Sequence, residues 1–227
     1  NTLDFTLSYN SIDNFGSPLG KGWTHNWNIF LFSNPSSASG GSTSSIGLKR
    51  GDGRIVYFRL SNGIYYPDPQ SGETSSISFT NGAYILTEKS GTTYNFNAST
   101  GKITSSRDRN GNTTTLSYSG DNLVSITDPS GRVIYLAYDS EKRISTITDL
   151  NGNTYSFSYA NDALSGIEQS AISYQQSAWK YTYDASGQML TKTDPSGYTT
   201  TYNYDSEGKV ISSQDPEGKI KAISYQP

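Results

Sequence analysis

The sequence has no cysteine, a single histidine and a single methionine in 227 residues. Without thiols there is no disulfide scaffold and no thiolate chemistry, and one imidazole alone cannot make a zinc site. A Ser-His-Asp triad would have to use His25, and no Gly-x-Ser-x-Gly elbow accompanies it. Charge is sparse as well. Charged residues make up 16% of the chain, the net charge is −3 and the basic residues are scattered, so nucleic acid is not an expected partner. No apolar run approaches the roughly 18 residues of a membrane span, and no signal peptide is evident. Apolar residues nowhere follow a 3.6-residue period over about ten positions, so almost no helix is expected.

What is abundant is aromatic and turn-forming: 18 Tyr, 8 Phe, 3 Trp and 22 Gly. That supply of buriable rings excludes a disordered chain despite the polar composition. With few Lys and Glu and many Ser, Thr and Asn, the composition reads as secreted or cell-surface. The first residues already read as a strand and a repeat stops at Tyr225, so the chain is expected to be a piece of a longer protein.

The organising signal is a repeat of about 21 residues. Asp184 to Tyr204 and Asp205 to Tyr225 spell the same pattern twice: Asp-x-x-Gly, an apolar stretch, Asp-Pro-x-Gly, then a run ending in Tyr. Closing tyrosines recur at Tyr118, Tyr138, Tyr159, Tyr183, Tyr204 and Tyr225, and turn glycines at Gly111, Gly131, Gly152, Gly197 and Gly218. The copy from Ala160 to Tyr183 is longer and has lost its turn motif, and a degenerate copy runs from Gly91 to Phe96. Two regions follow, a β-rich lead-in over 1–90 and the repeats over 91–227.

Each repeat carries two turns. In Asp128-Pro-Ser-Gly131, Asp194-Pro-Ser-Gly197 and Asp215-Pro-Glu-Gly218 the Asp accepts nearby backbone N–H groups, Pro presets φ, and Gly takes the left-handed conformation. Asp108-x-Asn-x-Asn112 and Asp149-x-Asn-x-Asn153 look superficially like calcium loops, but the distal Glu is missing and turns explain them better. No metal, cofactor or catalytic residue is therefore assigned. Two turns in such a period leave two strands, so each unit is a β-hairpin. The expected fold is all-β, with hairpins side by side in one continuous curved or spiralling antiparallel sheet.

The second strand of each unit alternates cleanly, as in Ile134, Leu136 and Tyr138, or Tyr155, Phe157 and Tyr159. The first strand spaces its apolar residues three apart (Leu123 and Ile126, Ile144 and Ile147), which points to a bulge. Burying one ring is worth about 4–6 kcal/mol gross, but a phenol also brings a hydroxyl that needs a partner. A tyrosine ladder flanked by Thr and Ser thus suggests a partly wet face around a solvated interior.

In the lead-in, Asp4 to Tyr9 alternates as a strand, and Trp23, His25, Trp27 and Ile29 are expected on one face of another. Ser33 to Ser45 reads as a low-complexity loop, and Asp52-Gly53 and Asn62-Gly63 as two-residue hairpin turns.

These repeats resemble the Rhs/YD repeats of bacterial Rhs and wall-associated proteins, toxin-complex shell proteins and teneurins. The segment with Pro18-Leu-Gly-Lys-Gly-Trp-Thr-His-Asn-Trp27 is similar to the region preceding such repeats. The resemblance implies a β-strip spiralling into a hollow shell of an exported protein, often enclosing a C-terminal toxin. The implied partners are the remaining repeats and a C-terminal toxin or effector domain of the parent chain. The repeats present are too few to close a shell. The leading expectation is a non-catalytic scaffold. The alternative is a carbohydrate or cell-wall binding module in which Trp23, Trp27, Tyr135, Trp179 and Tyr198 stack on cell-surface glycans. An enzyme, such as a glycosidase with paired carboxylates, is a third class that the turn roles of the Asp residues argue against.

Overall fold

The computed structural model describes residues 3–13, 15–33, 45–170 and 177–225. Among them the regular structure is β-strand apart from one turn of 3-10 helix at Pro69–Ser71. The chain forms two compact units. One comprises Asn1–Ser8 with Thr24–Val133, the other Tyr9–Trp23 with Ile134–Pro227.

Two short strands, β1 (Leu7–Tyr9) and β2 (Trp23–His25), form a ribbon of their own. In the first unit, ten strands follow as an antiparallel meander: β3 (Phe30–Ser33), β4 (Ser45–Lys49), β5 (Ile55–Ser61), β6 (Ile64–Pro67), β7 (Ser76–Thr80), β8 (Ala83–Thr87), β9 (Thr93–Asn97), β10 (Ile103–Arg107), β11 (Thr113–Ser119) and β12 (Asn122–Thr127). Each pairs with the next in sequence. The second unit continues the pattern with β13 (Val133–Tyr138), β14 (Ile144–Thr148), β15 (Thr154–Ala160), β16 (Ala163–Gln169), β17 (Ser177–Tyr183), β18 (Met189–Thr193), β19 (Thr199–Tyr204), β20 (Val210–Gln214) and β21 (Ile220–Ala222). There too every strand pairs with its successor. The fold is the all-β antiparallel hairpin array that the repeat implies.

The expected strand through Trp23, His25, Trp27 and Ile29 is corrected. It stops at His25, the chain turns with Asn28 N donating to His25 O (2.8 Å), and a new strand starts at Phe30. Both asparagines spend side-chain atoms at the break: Asn26 Oδ1 accepts from Thr6 N, 20 residues upstream, and Asn28 Nδ2 donates to Thr24 Oγ1 within the turn. Asn62-Gly63 does form the two-residue turn, with φ of 51° and 80°. Asp52-Gly53 does not; it closes a longer loop in which Arg50 N donates to Arg54 O and Gly53 N to Arg50 O. Most of the low-complexity stretch, 34–44, lies outside the described residues.

The first unit buries a dry core. Leu48, Phe58, Ile77, Leu86, Phe96, Ile103 and Ile126 are fully inside. In the second unit the inner face holds Ile134, Leu136, Ile144, Ile147, Leu164, Tyr181 and Met189, joined by Leu19 and Trp23 from the N-terminal segment.

Candidate functional site

The repeats are held by three devices. The first is the turn. In the loops opened by Asp108, Asp128, Asp149 and Asp194, the Asp N donates to the carbonyl four residues on, and the glycine N returns to the Asp O at 2.9–3.0 Å. Asp Oδ1 then accepts two further backbone N–H groups in each loop. The loop at Asp215 keeps the backbone bonds, and Asp215 Oδ1 accepts from Lys219 N. The second type of turn, opened by Asp139, Asp184 and Asp205, has the same chemistry. Gly111, Gly131, Gly152, Gly197 and Gly218 all sit at φ between 81° and 90°, where a side chain would be strained. Asp128 is the most enclosed of these acids. Burial works against its charge, but bonds from Arg132 and Ser130 outweigh that and hold its pKa below the ordinary carboxylate value.

The second device is a bulge repeated in each unit. The ladder slips by one residue beside Phe96, Tyr118, Tyr138, Tyr159, Tyr183 and Tyr204, which pair with Ile103, Leu123, Ile144, Leu164, Met189 and Val210. The extra residue explains the three-residue spacing in the sequence, because it lets Leu123 and Ile126, or Ile144 and Ile147, bury on one face.

The third device uses the tyrosines. Tyr159 OH donates to Ile144 O (2.7 Å), Tyr204 OH to Met189 O (2.8 Å) and Tyr225 OH to Val210 O (3.1 Å), while Tyr183 OH donates to Leu164 O. Each phenol therefore reaches the bulge carbonyl of the preceding repeat. Burial pushes the Tyr159, Tyr183 and Tyr204 pKa values up and Tyr181 to about 12, so all stay neutral donors at physiological pH. Basic side chains lie over several rings: Lys102 over Tyr118 (5.4 Å), Arg143 over Tyr159 (4.5 Å) and Lys209 over Tyr225 (5.9 Å). The hydroxyls of Tyr159, Tyr183, Tyr204 and Tyr225 thus find protein partners.

The N-terminal segment runs along the same ends of the second unit's hairpins. Pro18 O accepts from Ile144 N (2.7 Å), Lys21 N donates to Asp162 O (3.0 Å) and Gly20 bridges Ala163. Tyr9 OH donates to Gly187 O and accepts from Met189 N, and Ser11 Oγ donates to Gly208 O (2.7 Å).

The stacking residues proposed from the sequence do not form one platform. Trp23 is a correction. It is 5% exposed, donates Nε1–H to Tyr183 OH (2.8 Å) and meets Tyr181 edge-on, so its ring is a core element. Trp27 is half-buried and donates to Asp4 O. Trp179 shares its strand face with buried Tyr181 and lies under Lys192. Tyr135 and Tyr198 are 57% and 60% exposed, but Tyr135 stands on the face opposite Ile134 and Leu136, away from the side that Trp179 shares.

His25 is buried against Phe5 (ring centroids 4.7 Å apart), and burial pushes its pKa down to about 3. That makes it a neutral packing element. A cleft of about 220 Å³ in the first unit gathers Trp27, Asp4, Asp108 and Asp128, but Asp108 and Asp128 are bonded within their own turns. Among the described residues no group of three His, Cys, Asp or Glu side chains is placed to hold a metal ion.

What this arrangement does is make each hairpin bond its predecessor, the architecture of a self-extending strip. The family comparison agrees: the Teneurin YD-shell model matches residues 76–197, more than half of the chain. The chain belongs to the YD-shell family. An RHS Repeat model matches residues 183–220 of this YD-shell chain, and a domain of unknown function matches residues 1–58. Among solved structures it is similar to a mutant Tc holotoxin pore of Photorhabdus luminescens, at 15% identity and a TM-score of 0.42, covering 74% of this chain and 11% of that one. It is also similar to the TcdB2-TccC3 crystal structure, at 10% identity and a TM-score of 0.38, covering 89% and 16%. The YD-shell chain thus spans a small part of the length of the solved chains that it matches. No curated protein matches it. No helix among the described residues is long and apolar enough to cross a membrane.

The phenol-to-carbonyl stitch escaped the sequence reading. Its one legible trace is the interval between a bulge residue and the closing tyrosine of the next unit, 15 residues at Ile144, Met189 and Val210 and 19 at Leu164 in the irregular copy.

Proposed function

We propose that this chain is a non-catalytic wall segment of the shell of a larger exported or surface protein, with residues 1–90 as lead-in and 91–227 as repeats. The wall would surround a C-terminal toxin or effector domain of the parent chain. The observation that carries this reading is the stitch from each tyrosine to the bulge carbonyl of the repeat before it. Bonds that run only between neighbours support indefinite extension of a sheet, and the family match supports the same role.

Protease protection of the C-terminal domain in the full parent protein tests it. The wild type should shield that domain, and the combined Tyr159→Phe, Tyr183→Phe and Tyr204→Phe variant should expose it. Equal cleavage in the wild type would sink the enclosure. A glycan array tests the binding alternative, which retains exposed Tyr135 and Tyr198. A blank array is expected, and micromolar binding abolished by Tyr198→Ala would replace the scaffold with a wall-binding module.

A further inference from the structure

Near-identical repeats pose a problem for any segment that must dock across them: every hairpin offers a similar surface. Four turns of the second unit face the segment Tyr9–Trp23, at Asp139, Asn161, Asp184 and Asp205. Three are five-residue Asp loops, and in each the Asp N and the carbonyl four residues on bond one another. The fourth, Asn161-Asp162, is a two-residue turn with φ of 50° and 61°, closed by Ala160 paired with Ala163. It belongs to the irregular copy, which is one residue shorter at this end and four longer at the other.

The contacts differ in kind. At Gly187 and Gly208 the carbonyls are reached by side chains, the Tyr9 hydroxyl and the Ser11 hydroxyl. At Asp162 the carbonyl is reached by backbone, Lys21 N at 3.0 Å, and the adjoining Gly20 forms a bridge to Ala163. A Cβ on Gly20 would stand 2.4 Å from Asp162 O, and its φ of 83° disfavours any side chain. The first unit's matching tight turn, Gly120-Asp121, is engaged differently: Lys102 Nζ bonds Gly120 O and Asp121 Oδ1. Pro18 and Trp23 flank the lock, on Ile144 N and on Tyr183 OH.

We infer that the tight turn Asn161-Asp162 and Gly20 form a register lock, which selects one hairpin of the array as the docking point of the N-terminal segment. The irregular copy is then a receptor site: its shortened turn admits backbone at its own tip carbonyl, where the tips of the Asp184 and Asp205 loops are reached by side chains.

Hydrogen exchange on the full chain tests the lock. Gly20→Val should speed exchange at the Lys21, Ile144 and Met189 amides by about tenfold or more, the loss of one well-formed bond, and leave β7 to β9 unchanged. Gly16→Val is the control on the same segment, because nothing lies within 4 Å of its would-be Cβ. Replacing Asn161-Asp162 with the longer Asp-Ser-Glu sequence of the neighbouring loop should release the same three amides. Asn161→Gly, which keeps the tight turn, should retain them. Unchanged exchange in Gly20→Val, equal loss in Gly16→Val, or retained protection with the lengthened turn would overturn the assignment.

Discussion

The hairpins β5–β6 and β7–β8 and those from β10 onward bury aromatic rings in different ways. The first pair are joined by tight Asn-Gly turns, keep an unbroken register, and seat Phe58, Ile77 and Leu86 with no polar atom on the side chain. The later hairpins are bulged and close on tyrosine. Phe96 stands at the boundary. It occupies the position of a closing tyrosine, paired with Ile103 at the first bulge, yet it carries no hydroxyl. The hairpin before it, β7–β8, has no bulge and hence no opened carbonyl to receive one. A phenol thus belongs where the preceding hairpin is bulged, and a plain ring where it is not.

The largest expected effect breaks the dry side of this contrast. Phe58→Ala should lower stability by about 3–5 kcal/mol in urea unfolding, the cost of an aromatic cavity in a fully buried site. Next is the buried charge group beside those hairpins, where Arg50 bonds Glu88 (2.7 Å) and Glu73 (2.8 Å). Arg50→Met should cost about 2–4 kcal/mol, at the lower end for a buried pair because Glu88 is partly exposed.

Burial pushes the Glu73 pKa up, but Arg50 and Ser75 outweigh it and hold it below the ordinary value of 4.5. Its contribution is therefore present above pH 4.5 and lost as pH falls through the lowered value. The urea midpoint should drop with acidification in the wild type and flatten in Glu73→Gln; an equal slope in both would remove Glu73 from the account.

Two smaller changes sharpen the comparison by exchanging one oxygen atom. Tyr204→Phe should cost about 1–2 kcal/mol by leaving Met189 O without its donor. Phe96→Tyr should also destabilise, since its hydroxyl would enter a site with no opened carbonyl behind it. If Phe96→Tyr is neutral while Tyr204→Phe is costly, the bulge is not what decides between the two rings. The smallest expected effect is at the tight turn: Gly63→Ala, at φ 80°, should cost about 1 kcal/mol.

Much of this was legible in the chain. Asp-x-x-Gly fixes each loop through contacts within five residues, so the turns could be read from local chemistry. The three-residue spacing of Ile144 and Ile147 pointed to the bulge, because a strand can bury both only by gaining a residue between them. The destination of the hydroxyls was not legible, since it depends on register across separate hairpins. Nor was the fate of Trp23: an aromatic beside polar residues reads as an exposed ring until Tyr181 and Tyr183 close over it. The strand expected from Trp23 to Ile29 failed because the side chains of Asn26 and Asn28 take up Thr6 N and Thr24 Oγ1 as the chain turns, a competition that alternation alone does not register.

The tyrosine bonds also have a direction. Ile144, Leu164, Met189 and Val210 each receive their phenol from the unit that follows. A unit's bulge carbonyl is therefore filled only where a successor follows it, so each tooth of this ratchet is caught by the next one along.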